Sequence, residues 1–221
     1  MKLSKRLDCV LALVEDNKSV IDIGCDHAYL AISIALNKNP KKVIASDNKI
    51  GPLNRAIENI NKYNVNKIVI PKLGDGVDTI ENDIDTIIIT GMGGLNIVGI
   101  LKYKKDLYKN VDTLIISPNN YLKEVRIELT KLGFYIKDEY LIKDNNIIYP
   151  IIVFKRGKKK YKMKEYIYGP ILLNKKDKLF IEYLKELKNE KEKIYNLLPR
   201  KYVLKRLELK KDLKYINRLT K

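Results

Sequence analysis

Residues 20–30 read VIDIGCDHAYL, and five of them carry a group or a freedom that chemistry can use: Asp22, Gly24, Cys25, Asp26 and His27. Three further clusters of acids and glycines follow: Asp47-Asn48 closing KVIASD, Gly74-Asp75-Gly76 in LGDG, and Gly91-Met92-Gly93 in DTIIITGMGGL. Each stands directly after a run of β-branched residues. A strand that ends in a glycine turn and hands over to a helix is the arrangement by which open α/β sheets hold ligands at the carboxyl ends of their strands.

The first turn excludes one ligand class. A dinucleotide turn of the form G-x-G-x-x-G needs its second glycine so that backbone can approach a pyrophosphate. Here that position is Asp26, and a carboxylate there repels phosphate. S-adenosylmethionine carries no phosphate; its ammonium suits a carboxylate at the turn, and its ribose suits an acid ending the next strand. Asp47 stands 23 residues after Gly24 in that place. An acid in the third loop can reach an adenine amino group. The candidate cofactor contacts are therefore Asp22, Gly24, Cys25, Asp26, His27, Ala28, Asp47, Asn48, Gly74, Asp75, Gly76, Gly91, Met92 and Gly93. Taken singly, each turn also has a purely structural reading. Their succession in one order after consecutive strands is what favours the ligand. His27, the one histidine, sits where a helix starts and reads as a hydrogen-bonding or packing residue before a base. A nucleophilic Cys25 would need a paired base, and none is evident.

The elements that must position these residues are legible as periodicity. Continuous apolar runs at Val20–Ile23, Val43–Ala45, Ile68–Pro71, Thr86–Thr90 and Leu114–Ser117 alternate with helical patterns such as Asn54–Tyr63 and Leu122–Leu132. Strands apolar on both faces, interleaved with helices, predict a parallel sheet covered on both sides. Tyr135–Ile142 and Ile147–Phe154, joined by KDNN, add a sixth and a seventh strand, the last antiparallel. The N-terminal MKLSKRLDCVLALVEDNK reads as an amphipathic helix. The expected division is an α/β domain over 1–156 and a basic helical domain over 157–221. KRGKKKYKMKEYIYGP is read as a linker leaving the first domain. Beyond it, Phe180, Leu184, Leu187, Ile194 and Leu198, interrupted at Lys191, then Leu209, Leu213, Ile216 and Leu219, predict an antiparallel coiled-coil hairpin turning at Pro199-Arg200.

Charge is distributed unevenly. Residues 1–154 hold 21 Lys and Arg against 19 Asp and Glu, whereas residues 155–221 hold 23 against 8. A compositional bias toward lysine would act along the whole chain, so the asymmetry points to a polyanion partner. No segment approaches the ~18 apolar residues of a membrane span. Two cysteines and one histidine supply no disulfide framework and no convincing metal site. The expectation is a cytoplasmic monomer with no metal and no membrane partner.

LSKRL (3–7), DIGCDHAYL (22–30), GDG (74–76), TGMGG (90–94) and YGPILL (168–173) together resemble the bacterial tRNA (adenine-22-N1)-methyltransferase family, TrmK, along essentially the whole chain. The resemblance implies a Rossmann-like class I methyltransferase domain with a mostly parallel seven-stranded sheet, followed by a coiled-coil domain. It also implies S-adenosylmethionine as methyl donor, tRNA as partner and N1 of adenine 22 in the D-arm region as target. The family pattern has glutamine before the Pro-Asn of the fifth loop and glutamate after the tyrosine matching Tyr149; here Ser117 and Pro150 stand there. Candidate catalytic groups are Asp26, Asn119 and Tyr29, with Asp26 read either as a contact to the adenine edge or as a cofactor ligand alone. Tyr29 or Tyr149 could stack on a flipped-out base. Candidate substrate contacts are Arg6, Tyr149, Lys158, Lys159, Lys160, Arg200, Lys201, Lys205 and Arg206. Action on another RNA, or an RNA-binding module with a vestigial cofactor domain, are the alternatives; a decayed site would not keep Asp47 and all the glycines.

Overall fold

The computed structural model describes residues 2–220. The strands are β1 (Ser19–Ile23), β2 (Lys42–Asp47), β3 (Val69–Leu73), β4 (Thr86–Thr90), β5 (Thr113–Ser117), β6 (Phe134–Asp144) and β7 (Ile147–Arg156). They form one sheet in the order β3-β2-β1-β4-β5-β7-β6, in which β7 alone opposes its parallel neighbour β5 and pairs with β6 as a hairpin. Parallel neighbours require crossovers, here the helices α2 (Tyr29–Asn37), α3 (Ile50–Lys62) and α4 (Gly94–Lys102), and α5 (Leu122–Lys131) leads from β5 to the edge strand β6. The seven-stranded, mostly parallel α/β architecture is the one the sequence implies.

The strand period of two divides the core between the faces of the sheet. Ile21, Ile23, Ile87, Ile89, Leu114 and Ile116 pack on one side, and Val20, Val43, Ala45, Ile88 and Ile115 on the other. Asp22 falls within this buried run and is 4% exposed. The chain order reverses at β1, flanked by β2 and β4. That switch point opens a crevice at the carboxyl ends of the strands, where all four clusters lie. The N-terminal helix α1 (Lys5–Leu13) starts on Ser4, whose Oγ accepts from the Leu7 amide at 3.3 Å.

The expected domain boundary shifts. The first compact unit runs to Ile171, and KRGKKKYKMKEYIYGP is part of it rather than a linker. It folds back as α6 (Met163–Tyr168), packed on α5, and enters α7 (Pro170–Lys175). The reason is a buried ion pair. Arg126 and Glu139, with side chains 1% and 0% exposed, pair at 2.7 Å. Arg126 Nη1 donates to the carbonyls of Tyr166 and Ile167, while Glu139 Oε2 accepts from the Ile171 amide. Gly169, at φ +91°, passes so close that a Cβ would lie 2.6 Å from the Glu139 carboxylate. Tyr161 adds its hydroxyl to the Ile136 amide at 2.8 Å. A buried charge pair is tolerated where such bonds satisfy what remains of it.

The second unit, Leu172–Lys221, is a helical hairpin of α8 (Lys178–Leu197) and α9 (Val203–Leu219). Asp177 caps α8 by accepting from Phe180 N at 2.8 Å. Tyr195 meets Arg206 and Lys191 meets Asp212, so the helices run antiparallel. Phe180, Leu184, Leu209 and Ile216 of the expected seam are buried, but Ile194 is 51% exposed. Toward the tip the seam becomes polar: Lys191 is paired with Asp212 at 2.6 Å, and the Arg206 guanidinium sits 4.0 Å over the Tyr195 ring.

A chain ending at Ile171 should fold, while one ending at Arg156 loses the Tyr161 bond, the two carbonyls on Arg126 and the Ile171 amide. At about 1 kcal/mol for each lost bond and ~2–4 °C per kcal/mol for a chain of this size, the shorter form should melt about 8–16 °C lower. Equal melting temperatures by calorimetry would overturn the structural role of the segment.

Candidate active site

The turn after β1 is built from left-handed backbone: Gly24, Asp26 and Ala28 have φ of +79°, +47° and +56°. The Gly24 and Cys25 amides both bond to the Ser46 carbonyl, at 2.8 and 3.0 Å, so the turn is sewn to the end of β2. A Cβ on Gly24 would come within 2.2 Å of Met92 Cε. Asp47, at the end of β2, accepts from the Asp26 amide at 3.3 Å and the Lys49 amide at 3.0 Å. The third loop is tied to β2 as well, through Gly74 N to Asp47 O at 3.0 Å and Ser46 Oγ to Thr79 Oγ1 at 2.8 Å.

Two cavities meet at Gly24. One, of about 600 Å³, is lined by Gly24, Asp47, Asn48, Gly74, Asp75, Gly76 and Met92, together with Leu95, Asn96, Gly99 and Ile100 of α4. The other, of about 290 Å³, is lined by Arg6, Leu7, Asp22, Gly24, Cys25, Asp26, His27, Tyr29, Leu30, Thr90 and Gly91. The structure thus brings together the motifs of all four loops. The α4 residues were not singled out in the sequence, although their i, i+3, i+4 spacing marks one helical face.

Electrostatics distinguishes the acids. Burial, then the neighbouring Asp47, pushes the Asp22 carboxyl up to about 7. Among the described residues it has no hydrogen-bond or ion-pair partner, and its cavity offers room for one. Asp26, by contrast, is exposed and bound to Arg55 Nη2 at 3.0 Å, with His27 Nε2 at 3.5 Å on its other oxygen. Arg55, 29 residues downstream on α3, carries no motif and was legible only in the fold. Burial pushes the Cys25 thiol well above its ordinary range, with Asp22 adding to the effect, which makes it a poor nucleophile. His27 stacks on Tyr29 with ring centroids 5.3 Å apart, and Tyr29 is 39% exposed.

On the far side of the crevice, Asn119 binds the β4 loop twice: its amide donates to Met92 O and its Nδ2 to Gly91 O, both at 2.9 Å. Asn120 Oδ1 accepts from Gly94 N at 3.0 Å and so starts α4. Arg6 lies over the Tyr149 ring at 4.7 Å. Ser117 and Pro150, the two departures from the family pattern, are partners: Ser117 Oγ donates to Pro150 O at 2.9 Å.

The basic candidates divide. Lys158, Lys159 and Lys160 follow Arg156, whose amide bonds to Asp112 O just before β5. They therefore emerge at the edge where the parallel strands begin, beyond the end of β7, which is itself roughly 23 Å from Tyr149 at ~3.3 Å per residue, and do not join the crevice. In the second unit Arg200, Lys201 and Lys205 are exposed. Arg206 is spent on the hairpin turn, donating to the Tyr195 and Leu198 carbonyls.

The family profile described as TrmK, tRNA (adenine(22)-N(1))-methyltransferase, matches residues 20–218. The chain belongs to that family. Among the family's proteins, the tRNA (adenine(22)-N(1))-methyltransferase of Bacillus subtilis is 33% identical over 71% of this chain and 66% of its own length. A putative tRNA methyltransferase of Mycoplasma genitalium is 31% identical over 99% and 96%. Of solved structures, the Streptococcus pneumoniae putative tRNA (m1A22) methyltransferase in complex with S-adenosyl-L-methionine is 27% identical, covers all of both chains and superposes with a TM-score of 0.91. M. capricolum TrmK with S-adenosyl-homocysteine is 28% identical over 100% and 98%, with a TM-score of 0.87.

Asp22 makes a prediction that needs no ligand. Its native pKa lies above the unfolded value near ~3.9, so between pH 4 and 7 the native state holds the proton more tightly than the unfolded state, and stability falls as pH rises through that window. Asp22→Asn removes the effect. In urea unfolding, the stability of the variant relative to the native sequence should grow by about 3–5 kcal/mol from pH 4 to pH 8; a pH-independent difference would refute the assignment.

Proposed function

We propose that this crevice binds S-adenosylmethionine and that the chain transfers its methyl group to N1 of adenine 22 of tRNA. One observation carries the reading: the junction at Gly24 of a nucleoside-sized cavity closed by Asp47 with a smaller one that holds the unpartnered Asp22. The glycines keep both spaces open, and at the turn the Asp26 carboxylate stands where a pyrophosphate would need backbone. The residues thus fit a nucleoside with a cationic tail. Asp47 would take the ribose hydroxyls, Gly74–Gly76 and Ile100 the adenine, and Asp22 the ammonium.

S-adenosylmethionine, when bound, supplies a methyl group activated by a sulfonium. Adenine N1 has a free lone pair at neutral pH, so the site has no proton to remove before attack, and the work of the protein is positioning. Positive charge reaches the base as the bond forms. Acceptors at its N6 edge then stabilise the transition state more than the ground state. Asn119 is best disposed among the three catalytic candidates: with Nδ2 given to Gly91 O, its Oδ1 keeps its lone pairs for an exocyclic amine. Asp26 is partly neutralised by Arg55, which fits a role in holding the turn. Tyr29, backed by His27, offers a stacking face. A tRNA substrate implies action in the cytoplasm.

Incubation with unmodified tRNA and methyl-labelled cofactor should place the label on N1 of adenine 22; label elsewhere, or none, would overturn the reading. Asn119→Ala should slow single-turnover methylation about 10–100-fold, the loss of one hydrogen bond in the transition state, with cofactor affinity unchanged.

The hairpin is proposed as the main tRNA contact, supported by 16 Lys and Arg against 7 Asp and Glu in residues 172–221. Deletion after Ile171 should keep cofactor binding and lose most tRNA affinity. The log–log salt dependence of binding should be several units shallower than for the full chain, at ~0.7–0.9 per phosphate contact. Undiminished tRNA binding by the shortened chain would remove the hairpin from this role.

A further inference from the structure

The turn end of the hairpin exposes what paired helices ordinarily hide. Leu197 and Leu204 are 84% and 85% exposed, the most exposed large apolar side chains among the described residues. Ile194, Tyr202, Val203 and Leu207 around them are between 49% and 58% exposed. All six flank one turn, since α8 ends at Leu197 and α9 starts at Val203. They are not needed to close it. Arg206 does that, donating to the Tyr195 and Leu198 carbonyls with its guanidinium 4.0 Å from the Tyr195 ring centroid. A hairpin shaped for its own stability would carry polar residues at such positions. Apolar side chains clustered in water mark a surface that meets something else.

The charge around the patch selects its partner. Residues 193–207 hold five Lys and Arg and no Asp or Glu. Among the described residues Lys193 and Arg200 make no hydrogen bond and no ion pair, while Lys201 lies over the Tyr202 ring at 5.5 Å. A second copy of this tip would set cations against cations. An RNA duplex would satisfy the cations but not the apolar side chains, because paired and stacked bases hide their faces. Unpaired bases offer both, with phosphates between faces that accept aromatic and apolar groups. An acidic lipid surface also joins anions to apolar matter, but the family to which the chain belongs acts on tRNA. We infer that the hairpin tip docks an unpaired loop of the tRNA: Leu197 and Leu204 pack against unstacked bases, Tyr202 offers a stacking face, and Arg200 and Lys201 take the flanking phosphates. Affinity there is thus partly apolar and partly ionic, and the apolar part distinguishes a loop from a helix of the same charge.

The inference rests on the reading of the hairpin as a tRNA contact, which deletion after Ile171 decides separately. Here the full-length chain is compared with the double variant Leu197→Gln, Leu204→Gln, since glutamine keeps the length and helix propensity of leucine. Each is titrated with unmodified tRNA and with a blunt RNA duplex over a series of salt concentrations. The double variant should bind tRNA about 10-fold more weakly, as expected for the lost burial of two leucines. Its log–log salt slope should stay unchanged, because apolar contacts release no counterions, and its affinity for the duplex should stay within about twofold. Leu197→Met with Leu204→Met should bind like the native chain. Conversely, Arg200→Gln with Lys201→Gln should make the slope shallower by about one to two, at ~0.7–0.9 per phosphate contact. Unchanged tRNA affinity in the leucine variant would overturn the inference, and so would an equal loss for tRNA and duplex. A native dimer that the leucine variant dissociates while keeping tRNA would give the patch to a second copy and overturn it. Binding to phosphatidylglycerol vesicles that this variant loses, with tRNA binding kept, would give it to a membrane and overturn it as well.

Discussion

The site depends on how the chain leaves β1. Between Ile23 and Tyr29 it must pass from a strand buried on both faces to a helix, at the one point where its neighbours diverge, without filling the space it borders. Only a turn with several left-handed residues is tight enough, and such backbone is unfavourable for L-residues by about 1 kcal/mol or more at each non-glycine position. Gly24 escapes that strain and also needs its missing side chain, because Met92 occupies the volume a Cβ would take. The strain at Asp26 and Ala28 is offset by bonds to the end of β2: two amides on the Ser46 carbonyl and one on the Asp47 carboxylate. Asp47 therefore has two duties, since the carboxylate that faces the larger cavity also pins the turn that opens the smaller one. Loss of that carboxylate disturbs both cavities together.

Two buried acids in the same sheet show how a structural charge differs from a functional one. Glu139 is satisfied on every side, by Arg126, by the Ile171 amide and by close backbone at Gly169, and it welds residues 157–171 to the sheet. Asp22 has none of this. It lies in a run of apolar residues, beside a second carboxylate, and its raised pKa measures how unfavourable its charge is there. A protein selected for stability alone would place valine or isoleucine in that strand. An acid kept at a net cost, facing a cavity, is a group whose partner arrives from outside.

The sheet was legible in the sequence because its strands are apolar without interruption, a pattern that parallel sheets alone require. The loops that line the crevice were legible because each carries an acid or a glycine directly after such a strand. The fate of Asp26 was not, since Arg55 lies on another helix and nothing in local sequence links them. The boundary at residue 156 was misplaced for a similar reason. KRGKKKYKMKEYIYGP has the composition of a solvated linker, and what holds it is mostly backbone: the carbonyls of Tyr166 and Ile167 and the amide of Ile171. Backbone groups are the same in every residue, so composition does not reveal their use. Gly169 was the one signal, a glycine whose φ and close approach to Glu139 become meaningful only once the pairing is known. In the hairpin the heptad-like spacing located the helices but overextended the apolar seam, because Arg206 and Tyr195 close the tip by cation–π contact and carbonyl bonds.

The distribution of charge follows from the chemistry. Methylation at N1 turns a neutral base into a cation, so basic side chains beside the target would oppose the reaction as it proceeds. Binding a polyanion, however, requires many of them. The chain separates the two demands in space. At the smaller cavity of the crevice, Arg55 is bound to Asp26, and Arg6 is stacked on Tyr149 in a space that also holds Asp22. Lys158 and Lys160, unpaired among the described residues, stand at the opposite edge of the sheet, and most of the excess beyond them lies on the hairpin. Attraction at that far edge of the sheet raises the local concentration of RNA while adding little to the field at the reacting nitrogen, because exposed charges more than a Debye length away, about 8–10 Å, are largely screened. A near-neutral catalytic crevice in a strongly basic chain is thus what the transition state and the substrate, taken together, demand.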